Sequence, residues 1–331
     1  MRAPASLLLL LLACLTLAAC GGSDDDTTAA ATATDATTAG AFPATLDGAL
    51  GETTVERAPE RVVALDFNSA DALLALGVTP VAIARVDYAP GGVQPWTRAA
   101  LRGARPQLLE TATGYPLERI AALRPDLIVA SNAYGVERVA DQLSALAPLL
   151  AWSRALGTET WQETTRRVGA ALGRAREASA LIADVEGRID AARARHPELD
   201  GKTIAIFNAV GGQLFAINDP DDFSIRFAAD LGMRLSPALE RLEGEEGRAA
   251  LSEERVDLVD ADVVVGTSPS PAELRRATAS PLFRRLPAVT RGSYVELPLS
   301  PATAIAFPSA LSIPYALETL VPRLSAAASA R

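Results

Sequence analysis

From Arg61 onward, short apolar runs alternate with longer segments in which apolar residues recur every three or four positions. Val62-Val63-Ala64-Leu65 reads as a buried strand. Ser69 to Leu76 reads as a helix with Gly77 as its C-terminal stop. Val81-Ala82-Ile83-Ala84 is a second strand, Leu117 to Leu123 a helix, Leu127-Ile128-Val129-Ala130 a strand and Val136 to Leu146 another helix. Strands alternating with helices predict a parallel α/β sheet. After Gly201 the pattern restarts. Thr203 to Phe207 is a strand, Phe223 to Leu231 a helix stopped by Gly232, Glu253 to Val259 a helix, Val263-Val264-Val265 a strand, and Leu311 to Leu324 a closing helix.

Between the halves lies a long helical stretch. Thr160 and Glu163 have capping-box spacing. Val168, Leu172, Ala175, Ile182, Val185, Ile189 and Ala192 follow at steps of three, four or seven, and no Pro appears until Pro197. A single helix from about 160 to 195 would run roughly 50 Å and suit a strut between two lobes. Gly169, Gly173 and Gly187 are the points where it would divide into two shorter helices.

The two halves are related. Glu118-Arg119-Ile120, Leu123, Asp126-Leu127-Ile128-Val129 and Ser131 recur, without a gap, as Glu254-Arg255-Val256, Val259, Asp262-Val263-Val264-Val265 and Thr267. Leu76-Gly77 is echoed by Leu231-Gly232. Apolar spacing alone would match Ile120 with Val256, but not the Glu-Arg pair or the Asp before each strand. One repeat over half a chain predicts two similar lobes, and clefts between lobes are favoured ligand sites.

The N-terminus has a different pattern. Arg2 precedes an apolar run from Leu7 to Leu17, too short to span a bilayer, and Leu17-Ala18-Ala19-Cys20 resembles the bacterial lipobox. Residues 1–19 are therefore expected to be a lipoprotein signal peptide, with lipid on Cys20 as the membrane anchor. Residues 20–41 hold Thr, Ala, Asp and Gly with no large apolar side chain, and read as a disordered tether. The folded chain then divides into an N-terminal α/β lobe (42–158), a bridging helix (159–196) and a C-terminal α/β lobe (197–331).

Composition narrows the chemistry. The chain has 31 Lys and Arg against 40 Asp and Glu, a net charge of −9. Lys202 is its one lysine, and no basic stripe suits nucleic acid. Cys14 leaves with the signal and Cys20 carries lipid, so no thiol remains for a disulfide, a metal or a nucleophile. His196 is the one histidine. It stands beside Pro197 at a helix end, which disfavours a bare zinc or manganese site and a Ser-His hydrolase. Gly211-Gly212 lacks the Lys and Ser or Thr of a phosphate loop. The sequence therefore reads as a non-enzyme, with a surface interaction or sensor lipoprotein as an alternative to a carrier.

The order of segments resembles the extracellular binding proteins that serve ferric-siderophore, haem and cobalamin ABC importers. The resemblance is carried by PERVVALDFNSADALLALGVTPVAI (59–83), GYPLERIAALRPDLIVAS (114–131), GTETWQETTRRVGAALGR (157–174) and ALSEERVDLVDADVVVG (250–266). It implies a class III architecture, two Rossmann-like lobes with parallel-rich sheets joined by one long helix. It also implies a monomer outside the cytoplasm, lipid-anchored to the cell membrane. The iron would be held by the siderophore, and the partners would be an ABC permease and its ATPase. One Glu on each lobe would dock on the permease, here Glu118 and Glu254.

In open α/β sheets ligands lie at the carboxyl ends of strands. That rule selects Asn68, Arg85 to Tyr88, Asn132, Asn208 and the loop ending in Trp96. Tyr134 follows the same strand as Asn132, and Ser131 to Gly135 is similar to the loop that presents a Tyr to iron-hydroxamate ligands in the family, which makes Tyr134 the best single ligand candidate. The chain has no Arg just ahead of Tyr115-Pro116, where hydroxamate binders carry one. Phe223 and Arg226 lie on a helix that could face the cleft, and Arg can meet a carboxylate or catecholate bidentately. Haem stays open through Tyr134 as an axial ligand, as does cobalamin.

Overall fold

The computed structural model describes residues 42–330. The expected signal peptide, Cys20 and the tether lie outside the described residues. Among those described, no helix is long and apolar enough to cross a membrane.

The N-terminal lobe opens on a small antiparallel hairpin of β1 (Ala44–Leu46) and β2 (Thr53–Val55). Its main sheet holds β3 (Val62–Ala64), β4 (Ala82–Ala84), β5 (Gln107–Leu109), β6 (Leu127–Ala130) and β7 (Leu149–Ala151). Every pairing in it is parallel, in the order β5-β4-β3-β6-β7. β3, β4 and β6 are buried along their whole length, which is why they read as unbroken apolar runs. The helices here are α1 (Phe67–Ala75), α2 (Pro95–Ala100), α3 (Leu117–Ala122) and α4 (Ala140–Ser144). Chain order runs outward from β3 on one side and from β6 on the other, so the sheet's switch point lies between them.

The expected single strut is two helices, α5 (Trp161–Ala171) and α6 (Ala175–Arg195). The Thr160–Glu163 capping box starts α5. Gly173 ends it with φ +67°, while Gly173 N–H donates to the Ala170 carbonyl and Arg174 N–H to the Gly169 carbonyl. Those two bonds close a Schellman motif, which stops the helix despite the continuing apolar spacing. A Cβ on Gly169 would lie 2.5 Å from the Ala178 Cβ, so its bare backbone lets α5 and α6 pack closely. The bridge itself is α6, about 31 Å long at the helical rise. Its Ala178 packs in an N-terminal-lobe core, while Ile182, Val185, Ile189 and Ala192 pack in the C-terminal one.

The C-terminal lobe contains β8 (Thr203–Val210), β9 (Gln213–Ile217), β10 (Arg234–Leu235), β11 (Arg248–Leu251), β12 (Val263–Thr267) and β13 (Tyr294–Glu296). The order is β11-β9-β8-β12-β13, with β10 also on β8. β8, β10, β12 and β13 are parallel, whereas β9 and β11 form an antiparallel extension. Its helices are α7 (Phe223–Asp230), α8 (Pro237–Glu240), α9 (Pro271–Thr278), α10 (Pro281–Arg284), α11 (Pro287–Thr290), α12 (Leu299–Ala306), α13 (Ser312–Thr319) and α14 (Val321–Ala328). The expected closing helix is thus α13 and α14, parted at Leu320 just before Pro322. Glu253–Val259 winds as a 3-10 helix.

The internal repeat is structural. Asp126 accepts from the Glu60 and Arg61 backbone N–H groups, both at 2.8 Å, at the start of β3. Asp262 accepts from the Thr203 backbone N–H and its hydroxyl, both at 2.8 Å, at the start of β8. Each repeated Asp ties its own strand to the neighbour across the switch point, a reason for its presence that apolar patterning cannot supply.

The lobes meet through a buried carboxylate. Asp71 on α1 accepts from Trp96 Nε1 (2.6 Å), the Thr97 hydroxyl (2.6 Å) and the hydroxyl of Ser309, between α12 and α13 (2.7 Å). Trp96 also packs on Tyr315 of α13, with ring centroids 5.2 Å apart. Burial pushes the Asp71 carboxyl up to about 7, against the three donors that pull it down. The folded protein therefore holds this proton at pH values where the unfolded chain has lost it, so stability should fall as pH rises from about 4 to 7. Asp71→Asn can keep all three partners and should flatten that part of a stability-versus-pH curve measured by urea unfolding. Asp71→Ala leaves the indole N–H without an acceptor and should cost roughly 2 kcal/mol. An Ala variant as stable as the parent, or an Asn variant with the parent's pH slope, would refute this account.

Candidate functional site

Both switch points open onto one cleft between the lobes, with a volume of about 630 Å³. The N-terminal lobe contributes Asn68, Ser131 and Asn132 from the carboxyl ends of β3 and β6. The C-terminal lobe contributes Asn208 and Thr267 from the ends of β8 and β12, and Phe223 from α7. Thr303, Phe307 and Pro308, in and after α12, close one side.

The N-terminal floor is organised by Asp66. It caps α1 by accepting from the Ser69 backbone N–H (2.8 Å) and also accepts from the Ser69 hydroxyl (2.6 Å) and the Asn132 N–H (3.1 Å). The Ser69 hydroxyl lies 2.8 Å from that of Ser131. These bonds join the ends of β3 and β6 into one rigid surface. Burial raises the Asp66 carboxyl above its usual range, although the hydrogen bonds from Ser69, Asn132 and Asn68 oppose the shift.

The sequence candidates divide by position. Asn68, Asn208 and Phe223 line the cleft, as does Asn132. Asn68 is partly committed, because its Nδ2 donates to the Phe307 carbonyl (3.0 Å) across the lobes and its Oδ1 accepts from Asn132 (3.1 Å). Trp96 lies elsewhere. It is buried between α1 and α13, and its one N–H is spent on Asp71. Arg85 is exposed and paired with Asp87 (3.2 Å) and Glu110 (3.5 Å), outside the cleft lining. Arg226 is turned into a neighbouring groove beside Trp161 and pairs with Asp221 (2.9 Å). Tyr134 is 80% exposed and is not among the lining residues; its carbonyl accepts from the Tyr115 hydroxyl at 2.8 Å. Tyr88 stands at the rim, its hydroxyl 3.3 Å from that of Thr303.

Four lining residues with chemistry were not anticipated. Arg248 donates to Asp222 at 2.8 Å, and both line the cleft. Glu159 lines it as well and is paired from behind with Arg167 at 3.2 Å. Glu246 stands exposed at the tip of the turn before β11. The sequence signal for these residues was faint, since they come from turns and strand starts with no motif. Among the described residues, the Thr267 hydroxyl is buried with no hydrogen-bond partner at the cleft wall.

The two expected docking residues, Glu118 and Glu254, are both exposed. Glu118 is in the first turn of α3 before β6, and Glu254 in the first turn of the 3-10 helix before β12. A helix leading back to a parallel strand starts at the sheet's carboxyl end, so both lie on the cleft side of their lobes.

Comparisons with known proteins agree with this architecture. The Fe(3+) dicitrate-binding periplasmic protein FecB of Escherichia coli (strain K12) is 31% identical over 203 residues, which is 60% of this chain and 64% of that protein's length. The crystal structure of a periplasmic solute binding protein from Mycobacterium smegmatis superposes with a TM-score of 0.75 at 31% identity, covering 86% of this chain and 99% of that one. Streptococcus pneumoniae TIGR4 PiaA, in complex with ferrichrome, superposes with a TM-score of 0.73 at 26% identity, covering 87% and 100%. The periplasmic binding protein family matches residues 62–300, and with its two parallel-rich lobes around one cleft this chain belongs to that family.

Proposed function

We propose that this protein captures a ferric-siderophore complex outside the cytoplasm and delivers it to an ABC importer. The observation that carries the reading is the cleft. It is roomy, is built from the carboxyl ends of both sheets, and is walled by amides, hydroxyls, apolar side chains and four charged side chains. That is the surface of a carrier. The relatives support an iron cargo, one by binding Fe(3+) dicitrate and one by its ferrichrome complex. Among the described residues, those lining the cleft include no His, Tyr or Met, the side chains that would serve haem as an axial ligand. The protein acts as a monomer held to the membrane by lipid on Cys20, and iron stays bound to the siderophore throughout.

Three measurements test this reading. Calorimetric titration with a panel of ferric siderophores should give a dissociation constant in the micromolar range or tighter, near −8 kcal/mol. Asn208→Ala should weaken binding by about tenfold; Tyr134→Ala, at the exposed rim, should weaken it less. A chain that binds cobalamin and no ferric siderophore would refute the assignment.

The second measurement concerns docking. Glu118 and Glu254 are exposed helix-start carboxylates that contribute little to folding or to the cleft. Glu118→Ala and Glu254→Ala should leave melting temperature and siderophore affinity nearly unchanged while radiolabelled iron uptake falls. The double variant should fall further, since linked contacts reinforce one another. Normal uptake in the double variant would reduce both residues to helix-end charges.

The third concerns the anchor. Cys20→Ser should release the protein from membranes or leave its precursor uncleaved. Normal processing and membrane retention in that variant would rule out lipidation at Cys20.

A further inference from the structure

The charges around the cleft are arranged against an anionic cargo. Among the described residues, four charged side chains line it: Glu159, Asp222, Glu246 and Arg248. Three are acidic and one is basic. Arg248 is already engaged, donating to Asp222 at 2.8 Å and to the Gly247 carbonyl at 3.0 Å. Its remaining N–H groups can still donate to neutral oxygens, but Asp222 compensates its charge. Arg167, behind Glu159, is committed to that carboxylate and to the carbonyls of Asp47 (2.7 Å) and Ala151 (2.9 Å).

Glu246 is left over. It sits at the tip of a tight turn closed by Arg248 N–H to the Glu245 carbonyl (2.9 Å) and Glu245 N–H to the Arg248 carbonyl (3.1 Å), and it lines the cleft as an exposed carboxylate. Arg85 and Arg226 add nothing, since both lie outside the lining and are paired with acids of their own. The rest of the polar wall is uncharged, chiefly Asn68, Asn132, Asn208, Thr267 and Thr303.

A polyanionic chelate entering this cleft would shed its hydration and meet a wall with surplus negative charge and no uncompensated cation. An uncharged or cationic chelate meets amides and hydroxyls that match its oxygens, and Glu246 at the rim attracts positive charge. Accepting the ferric-siderophore reading above, we propose that the cargo is a ferric chelate of zero or positive net charge, and that the Asp222–Arg248 pair, by leaving no free cation, disfavours anionic carboxylate and catecholate chelates.

The test is calorimetry on the full-length chain in detergent at neutral pH with four probes. Ferrichrome is uncharged, ferrioxamine B is cationic, and ferric dicitrate and ferric enterobactin are anionic. Ferrichrome or ferrioxamine B should bind at least about tenfold tighter than either anion. Asp222→Asn should shift the ratio of ferric dicitrate to ferrichrome affinity by about tenfold toward the anion, because it frees the charge of Arg248. Asn still serves as the N-cap of α7 that Asp222 now provides, so the variant should fold. Glu246→Arg, at an exposed turn, should shift the ratio in the same direction and gives a second readout should Asp222→Asn unfold. Tighter binding of either anion by the parent chain would overturn the charge assignment while leaving the carrier reading intact. Binding of none of the four would overturn both.

Discussion

The relation between the lobes depends on one buried carboxylate. Asp71 belongs to the N-terminal lobe, yet one of its three hydrogen bonds comes from Ser309, at the far end of the sequence. Around it, Asn68 donates to the Phe307 and Pro308 carbonyls, Phe67 meets Phe307 edge-on at 6.0 Å, and Trp96 packs on Tyr315. The segment from Thr303 to Tyr315 is therefore a second connection between lobes, opposite in character to α6. Two anchored connections leave little freedom for a wide hinge. A binding protein built this way meets its ligand with a cleft that is largely formed beforehand, which lowers the ordering cost of binding.

Preformation explains why so many polar groups near the cleft are bonded to one another. Asp66 gathers Ser69 and Asn132, and through Ser69 it is linked to Ser131, so that the ends of β3 and β6 cannot separate. At the opposite edge of the sheet, Asp126 holds the starts of the same strands together. In the C-terminal lobe Asp262 repeats that arrangement at the starts of β8 and β12. The central strands of each sheet are thus fastened to one another where chain order reverses, and ligands of open α/β sheets sit at the carboxyl ends of those strands.

The sequence showed the two lobes because their inner strands are buried on both faces and their helices end in recognisable stops. It showed the repeat because Asp126 and Asp262 accept the hydrogen bonds that tie each strand start to its neighbour, which an apolar residue there cannot do. Other features were hidden. Gly211-Gly212 lacks the residues of a phosphate loop, and the structure makes it the turn of the β8–β9 hairpin, with φ +62° and +79° and Val210 opposite Gln213. The break after α5 was hidden because apolar spacing continued through it, although Gly173 carried the signal. The site was half readable. Residues directly after strands, such as Asn68, Asn132 and Asn208, can be found by rule. Trp96 was misplaced because an aromatic in a loop can face a ligand or a neighbouring lobe, and only the tertiary contact with Asp71 decides between them. Arg248, Asp222 and Glu246 reach the cleft through a turn and an edge strand that the pattern did not reveal.

The same residue type has three roles in this molecule, and environment separates them. Asp66 and Asp71 are buried, and burial raises both carboxyls; they act as hydrogen-bond centres that hold strands and lobes. Glu159 and Asp222 are largely shielded beside arginines, with side-chain exposures of 4% and 13%, so they neutralise cations that would otherwise face the ligand. Glu118, Glu254 and Glu246 are exposed and keep their charge available to whatever approaches. An acidic chain therefore need not repel its ligand everywhere. Pairing Arg167 and Arg248 with carboxylates while leaving Glu246 unpaired gives the cleft a surplus of negative charge. The carboxylates at the helix starts, Glu118 and Glu254, take no part in the cleft, so either can change without altering its lining.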